Sequence, residues 1–346
     1  MYPKIYSLGN LIFAWRAARK GKTKKDYVKE FEKDLVNNLV KLKNELKHQT
    51  YRPEPLETFI IRDPKTRTIS KSSFRDRIVH HAIIQIIGPI LESAFIYDSC
   101  ANRKGKGTSF ALKRFDHFTR KVSRNGILNG WLHDNQVKGY AFKADIRHYF
   151  DTVDHAILVN LIKKKIADEM VISLIKKILE NATSKGIGMP LGNLTSQFFA
   201  NVYLNDLDHF IKHELRAKHY LRYVDDFIIF HSSRGQLQQW REQIELFLAN
   251  KLHLHLHPEK SKILPIAKGI DFLGFRNFYY FRLLRKRNIR AMKRIMCLYN
   301  ECLLSYKQIE SSFYGWQAYA KVANTYILRK RLVKNCLYLL HEAVVD

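Results

Sequence analysis

Three aspartates carry the chemistry that this sequence could perform. Asp225 and Asp226 stand side by side inside an otherwise apolar run, LRYVDDFIIF. Successive residues of a strand point to opposite faces. Two adjacent carboxylates therefore serve one site only where the backbone turns, which predicts a tight hairpin with the acids at its tip. Burying two like charges unpaired is costly, and a divalent cation offsets that cost. A hard cation such as Mg²⁺ prefers carboxylate oxygens and shares its shell with substrate phosphates. The plainer alternative is an ordinary turn in which Asp makes local hydrogen bonds. Asp145 closes a β-prone run, GYAFKAD, just before IRHYF. At a strand end it faces a site above the sheet; alternatively it caps the helix that follows.

The elements that must position these acids can be read from periodicity. GYAFKADIRHYF reads as a strand running into a helical turn, and DTVDHAILVNLIKKKI carries a helical period. Residues 186–196 hold three glycines and a proline and read as a loop. SQFFANVYLNDLDHFIKHEL reads as one long helix, LRYVDDFIIFH as a hairpin and RGQLQQWREQIELFLANKL as a further helix. HLHLHPEKSKILPIAKGIDFLGF reads as short strands and turns. This order suits a mixed sheet with helices on one face, and adjacent central strands would bring Asp145 to the Asp225–Asp226 pair. Upstream, apolar residues recur at helical steps over 24–48, which predicts one amphipathic helix ended by TYRPEP. ETFIIRDPKTRTIS reads as a hairpin, residues 74–95 as a helix and 123–139 as a polar loop. From 285 the chain is basic and helical to its end.

Composition points to the partner. Sixty Lys and Arg against 32 Asp and Glu give a net charge of +28 over 346 residues. Solubility alone asks for a net charge of only about 2–8 in a small domain, so the excess favours a polyanion. The chain is 46% hydrophobic, enough for a sizeable core. Four cysteines with no C-x-x-C pair argue against a zinc ribbon and for a reducing compartment. No apolar run approaches the ~20 residues of a membrane span. The N-terminal order, apolar before basic, is the reverse of a signal peptide, so a cytoplasmic location and no membrane partner are expected. His253, His255 and His257 alternate along one strand face without nearby acids or cysteines, a weak pattern for a metal.

FKADIRHYFDTVDH, GMPLGNLTSQFFANVYLNDLDHF, LRYVDDFIIF, LHPEKSKI and IDFLGF occur in this order. They resemble motifs A to E of reverse transcriptases, over about residues 50 to 330. The resemblance implies an α+β right-hand polymerase fold whose palm is a ferredoxin-like antiparallel sheet with helices on one face. It divides the chain into an N-terminal helical extension at 1–57, fingers at 58–138 and 159–190, a palm at 139–158 and 191–283, and a thumb at 284–346. It implies two-metal nucleotidyl transfer, with ions about 3.5–4 Å apart clamping the attacking and leaving oxygens. Two Mg²⁺ ions, for which Mn²⁺ can substitute, would be held by Asp145, Asp225 and Asp226 with the carbonyl of Ile146.

The same resemblance assigns supporting roles. Phe150 becomes the aromatic gate against a ribose 2′-hydroxyl, with core packing as the alternative. Lys65 and Arg67 would grip the incoming triphosphate, as basic side chains suit phosphate; a solvated basic hairpin is the other reading. Arg75 and Arg77 would line the template path or simply pair with Asp76. Arg103, Lys104 and Lys106 would touch the template backbone. Lys260 matches a lysine that protonates pyrophosphate, against the reading of one more surface lysine. Phe272, Leu273 and Gly274 resemble the primer grip, and the basic helices that begin at Arg285, Lys286 and Arg287 resemble the thumb, which follows an RNA–DNA hybrid.

Leu191-Gly192-Asn193-Leu194-Thr195-Ser196-Gln197 is similar to the loop of the diversity-generating retroelement branch, in which Leu stands where many relatives carry Gln. Leu191, Gly192 and Gln197 would touch the nucleotide. That branch copies a template-repeat RNA into cDNA with errors opposite adenine and works with an accessory helical-bundle protein. The expected partners are therefore template RNA, a cDNA or primer strand, deoxynucleoside triphosphates and that accessory protein. Two readings compete: a group II intron-type or host-defence reverse transcriptase, and a non-catalytic RNA-binding protein. Intact acids at 145, 225 and 226 count against the second, because a pure binder gains nothing by repelling phosphate.

Overall fold

The computed structural model describes residues 1–62, 66–127, 137–181, 183 and 185–335, the side chains of 333–335 excepted. Four helices open the chain: α1 (Tyr2–Ile5), α2 (Leu8–Arg19), α3 (Asp26–Lys33) and α4 (Leu35–Lys47). The single helix expected over 24–48 is thus two. Asp34 leaves helical backbone at φ −131° and ψ 52° and breaks the ladder, although the apolar period continues across it. The hairpin β1 (Glu57–Ile61) and β2 (Arg67–Lys71) follows, in antiparallel register with Glu57 opposite Lys71. Helix α5 (Phe74–Glu92) starts where the Ser73 side chain accepts from the Asp76 N–H, an N-cap. It packs against α2, where Asn10 Nδ2 donates to the Ala82 carbonyl at 3.1 Å.

Helix α6 (Thr108–Val122) precedes the strand β3 (Tyr140–Asp145). Short α7 (Tyr149–Thr152) leads into α8 (His155–Lys163), which Asp154 caps by accepting from the Ala156 and Ile157 N–H groups. Next come α9 (Glu169–Glu180), α10 (Leu194–Tyr203) and α11 (Asn205–His209). The long helix expected from Ser196 onward is broken: α10 stops at Leu204, and a π turn at Phe210–Glu214 follows α11. Strands β4 (His219–Tyr223) and β5 (Asp226–His231) form the expected hairpin, and α12 (Arg234–Leu252) follows. The remainder is β6 (Lys262–Pro265), β7 (Ile270–Phe272), β8 (Phe275–Asn277), β9 (Arg282–Leu284), α13 (Lys286–Asn300), α14 (Tyr306–Ala320) and α15 (Tyr326–Asn335).

The four-stranded sheet has the order β4-β5-β3-β6, with β3 and β6 antiparallel and Tyr140 opposite Pro265. Renumbered along the chain, that order is 2-3-1-4, the arrangement of a ferredoxin-like sheet. The α+β right-hand class expected from the sequence is the class found.

The chain forms two compact units: residues 1–111, 144–228 and 238–261 in the first, and 112–143, 229–237 and 262–346 in the second. The first unit buries apolar faces of α2, α5, α8, α9 and α10, among them Ile78, Ile83, Leu158, Ile175 and Phe199. The second has an aromatic core in which Phe115 stacks on Phe272 at 5.9 Å and meets Phe230 edge-on at 5.1 Å. Its helical end has its own core of Met292, Met296, Ile309, Phe313 and Leu332. No helix among the described residues is long and apolar enough to cross a membrane.

Candidate active site

Asp145 ends β3 half-buried, and its main chain is pinned by the segment before β6. The His257 N–H donates to the Asp145 carbonyl at 2.7 Å, and Ser261 Oγ reaches the same oxygen at 3.4 Å. Ile146 bridges Leu256 as an antiparallel pair flanked by the Arg147–His255 and His257–Asp145 bonds. Those flanking bonds make Ile146 the non-bonded member of the bridge, so its own carbonyl is not spent on that neighbour. Lys260 Nζ lies 3.0 Å from Asp145 Oδ1.

Asp225 and Asp226 sit where β4 turns into β5. The turn residues are Val224 and Asp225. Val224 has φ +59°, a left-handed backbone that a β-branched residue adopts at a cost of roughly 1–3 kcal/mol. The tight hairpin expected from the sequence is present, and strain is stored at its tip. Burial pushes the Asp225 carboxyl up to about 6, and the neighbouring charges of Asp226 and then Asp145 push it the same way. The three acids are therefore close enough to feel each other. They do not converge on one point: among the described residues no group of three or more His, Cys, Asp or Glu side chains forms a metal-holding cluster. The same holds for His253, His255 and His257; His253 instead pairs with Asp154 at 3.4 Å. The donor chemistry of Asp145, Asp225 and Asp226 nevertheless fits a hard divalent cation. All three offer carboxylate oxygens, and the mutual repulsion that raises Asp225 is what such a cation relieves.

A buried network supports the turn, and motif reading missed it. Arg222 and Asp208 are both 0% exposed and pair through two bonds, Nε–Oδ1 at 2.7 Å and Nη2–Oδ2 at 2.6 Å. Tyr220 Oη donates to Asp208 Oδ1 at 2.6 Å. The available signal was an arginine within an apolar strand, which demands a buried partner.

The loop before α10 is zipped to its neighbours on two sides. On one, the Met189 N–H donates to the Phe150 carbonyl at 2.7 Å, the Gly188 N–H to Val153, and His155 Nε2 to the Gly188 carbonyl at 2.7 Å. Phe150 is half-buried on α7, edge-on to Tyr149. On the other, the Ser70 N–H donates to the Leu191 carbonyl at 2.9 Å, and Asn193 Oδ1 accepts from the Ser72 N–H and hydroxyl. Gly192, at φ +118°, lets β2 approach: a Cβ there would lie 2.8 Å from Ile69 Cγ2. Gln197 is exposed on the first turn of α10.

The basic candidates divide. Lys65 lies outside the described residues; Arg67 is exposed at the start of β2. Arg75 pairs with Glu45 and Asp76 and lies over the Tyr51 ring, so the pairing with Asp76 is the reading the structure shows. Arg77 donates to the Ser72 carbonyl and covers Tyr27. Arg103 donates to the Ile96 and Ser99 carbonyls, and Lys106 to that of Tyr97, which leaves Lys104 as the exposed member of that trio. In the second unit, Phe272 is buried, Leu273 has φ +48°, and a Cβ on Gly274 would collide with the Tyr319 hydroxyl. Arg285 precedes α13 and lies 4.0 Å from Asp271, while Lys286 and Arg287 are exposed.

Comparison with known proteins agrees with this geometry. The chain is 26% identical over 306 residues to Protein YkfC of Escherichia coli, covering 76% of this chain and 75% of that protein. It is 26% identical over 347 residues to the group II intron-encoded protein LtrA of Lactococcus lactis, but spans only 55% of LtrA. Among solved structures, telomerase from Candida albicans in complex with a telomeric RNA fragment aligns with a TM-score of 0.51 at 11% identity, over 73% of this chain and 52% of that one. Apo telomerase from Candida tropicalis aligns with a TM-score of 0.51 at 12% identity, over 71% of this chain and 53% of that one. At such identities these two speak for the fold alone. The family described as reverse transcriptase (RNA-dependent DNA polymerase) matches residues 61–277, more than half of the sequence, and the chain belongs to that family.

Proposed function

We propose that this chain synthesises cDNA on a template-repeat RNA, with weakened base selection at template adenines, as the polymerase of a diversity-generating retroelement. The observation that carries the polymerase reading is the placement of Asp145 at the end of β3, next in the sheet to β5, whose hairpin turn carries Asp225 and Asp226. Those acids, with the Ile146 carbonyl, would hold two Mg²⁺ ions, or Mn²⁺ in their place. The chemistry such ions supply when bound is Lewis acidity towards the primer 3′-hydroxyl and the departing pyrophosphate. Phe150 would close the space beside the sugar. Arg67, with Lys65, would meet the triphosphate, and Lys260 would deliver a proton to pyrophosphate. Of the residues expected to touch nucleic-acid phosphates, Lys104, Lys286 and Arg287 are exposed and suited to that role. The fingers, palm and thumb boundaries and the accessory-protein partner that the resemblance implies belong to this reading.

The retroelement subtype rests on Leu191. Its backbone is tied to Ser70, so the loop is anchored while an apolar side chain replaces the polar contacts that Gln could make. A second reading, a group II intron-type polymerase, is favoured by the similarity to LtrA and leaves the three acids in the same roles. Primer extension on RNA with deoxynucleotides and Mg²⁺, followed by sequencing of the cDNA, tests both. Extension abolished by Asp225→Ala, with errors concentrated opposite adenine, is the expected result. Faithful copying would favour the intron-type reading. Absence of extension, even with RNA and accessory protein from the same locus, would sink the polymerase reading altogether.

A further inference from the structure

We propose that Arg222 is the positioning residue of the candidate active site: its guanidinium, locked by Asp208, fixes the strained Val224 turn from which Asp225 and Asp226 project. The inference rests on the polymerase reading for its consequence, though not for its geometry. Arg222 has five N–H donors, and each has an acceptor. Two go to Asp208; the others reach Asn201 Oδ1 at 3.1 Å, Ser99 Oγ at 3.2 Å and the Val224 carbonyl at 2.9 Å. Its main chain is clamped as well, since the Arg222 N–H donates to Asp98 and its carbonyl accepts from Cys100.

Stability alone does not explain such a residue. A buried ion pair costs several kcal/mol per ion to desolvate, and an apolar replacement is often as stable. What an apolar residue cannot do is hold the Val224 carbonyl. That carbonyl belongs to the peptide that also carries the Asp225 N–H, so its orientation sets the direction in which the Asp225 side chain leaves the turn. Val224 at φ +59° is a conformation that persists only when the surroundings over-determine it. The arginine supplies that determination, and three separate segments (97–101, α10 and α11) furnish the acceptors that keep the arginine still.

The test uses the full chain and three variants. Arg222→Lys keeps the charge but cannot satisfy five acceptors. We expect a folded protein with unchanged affinity for primed RNA, weaker Mn²⁺ binding by EPR titration, and kcat lower by about 10²-fold, the order expected from an ångström of misplacement. Val224→Gly, which adopts positive φ without strain, should restore part of that loss when combined with Arg222→Lys, and a merely structural arginine would not be rescued that way. Should Arg222→Lys fail to fold, Ser99→Ala removes one of the five bonds and should still lower both kcat and Mn²⁺ affinity. Folded Arg222→Lys or Ser99→Ala proteins with wild-type Mn²⁺ binding and kcat would overturn the proposal. A wild-type chain that binds Mn²⁺ but extends no primer would count against the polymerase reading, while the EPR comparison would still decide the role of Arg222.

Discussion

Lys260 sets its ammonium 3.0 Å from Oδ1 of Asp145, so the candidate proton donor is also the counter-ion of a candidate metal ligand. The lysine is 39% exposed, and an ion pair so open to solvent adds little to stability. Its importance must therefore show in function. Replacing it with Met removes a cation that repels divalent ions, so Mn²⁺ should bind more tightly. Extension should fall by roughly 10²-fold if the proton delivered to pyrophosphate is lost. Unchanged extension with tighter Mn²⁺ would reduce Lys260 to a counter-ion.

Asp225 offers a test by stability rather than activity. Its folded pKa, about 6, lies above the ordinary carboxylate value, first through burial and then through Asp226 and Asp145. A group raised in the fold binds its proton more tightly there than in the unfolded chain. Its favourable contribution is full at low pH and is lost as pH rises from about 4 to about 6. At neutral pH the carboxylate is a liability on the order of 3 kcal/mol. Asp225→Asn should therefore melt higher than the wild type at pH 7.5 in EDTA, while extension disappears. A lower melting temperature would show that the carboxylate is satisfied by protein contacts alone.

The hairpin at Asp225–Asp226 was legible because β-prone residues flank two acids that share a site only across a turn. The adjacency of β3 and β5 was legible too, because Asp145 and the Asp225–Asp226 pair can meet only on neighbouring central strands. Arg222 in an apolar strand signals a buried partner but not which one, since Asp208 and Ser99 lie 14 and 123 residues away. Arg103 and Lys106 resemble nucleic-acid contacts for the opposite reason: their types suit phosphate, yet tertiary structure hands their donors to carbonyls and rings, whereas the Arg75–Asp76 pairing was among the readings the sequence offered. The break at Asp34 escaped because an apolar period persists across one residue of non-helical backbone.

Gly192 joins the loop that carries Leu191 to the β1–β2 hairpin, and two separate costs attend a side chain there. The backbone at φ +118° strains any L-residue, and a Cβ would sit 2.8 Å from Ile69 Cγ2. Gly192→Ala should lose ~1–3 kcal/mol in urea denaturation. Adding Ile69→Ala removes the contact but not the torsional strain, so a double-mutant cycle should recover only part of the loss. Full recovery would mean that the contact alone required glycine. Displacement of the loop should also raise the KM for deoxynucleotide more than it lowers kcat.

His80 on α5 predicts how the fold responds to acid. It is 2% exposed, its Nδ1 has no hydrogen-bond partner among the described residues, and its pKa is pushed down to about 3, first by burial and then by His81 and Arg77. The folded protein thus refuses a proton that the unfolded chain accepts below about 6.5. Stability should fall as pH drops from about 6.5 towards 3, at up to about 1.4 kcal/mol per pH unit from this one residue. His80→Leu removes both the titration and the unpartnered nitrogen. Its urea midpoint should therefore decline less steeply than that of the wild type between pH 6.5 and 4.5, with the two proteins closest at pH 7.5. Parallel declines would mean that His80 accepts its proton in the folded state as readily as in the unfolded chain.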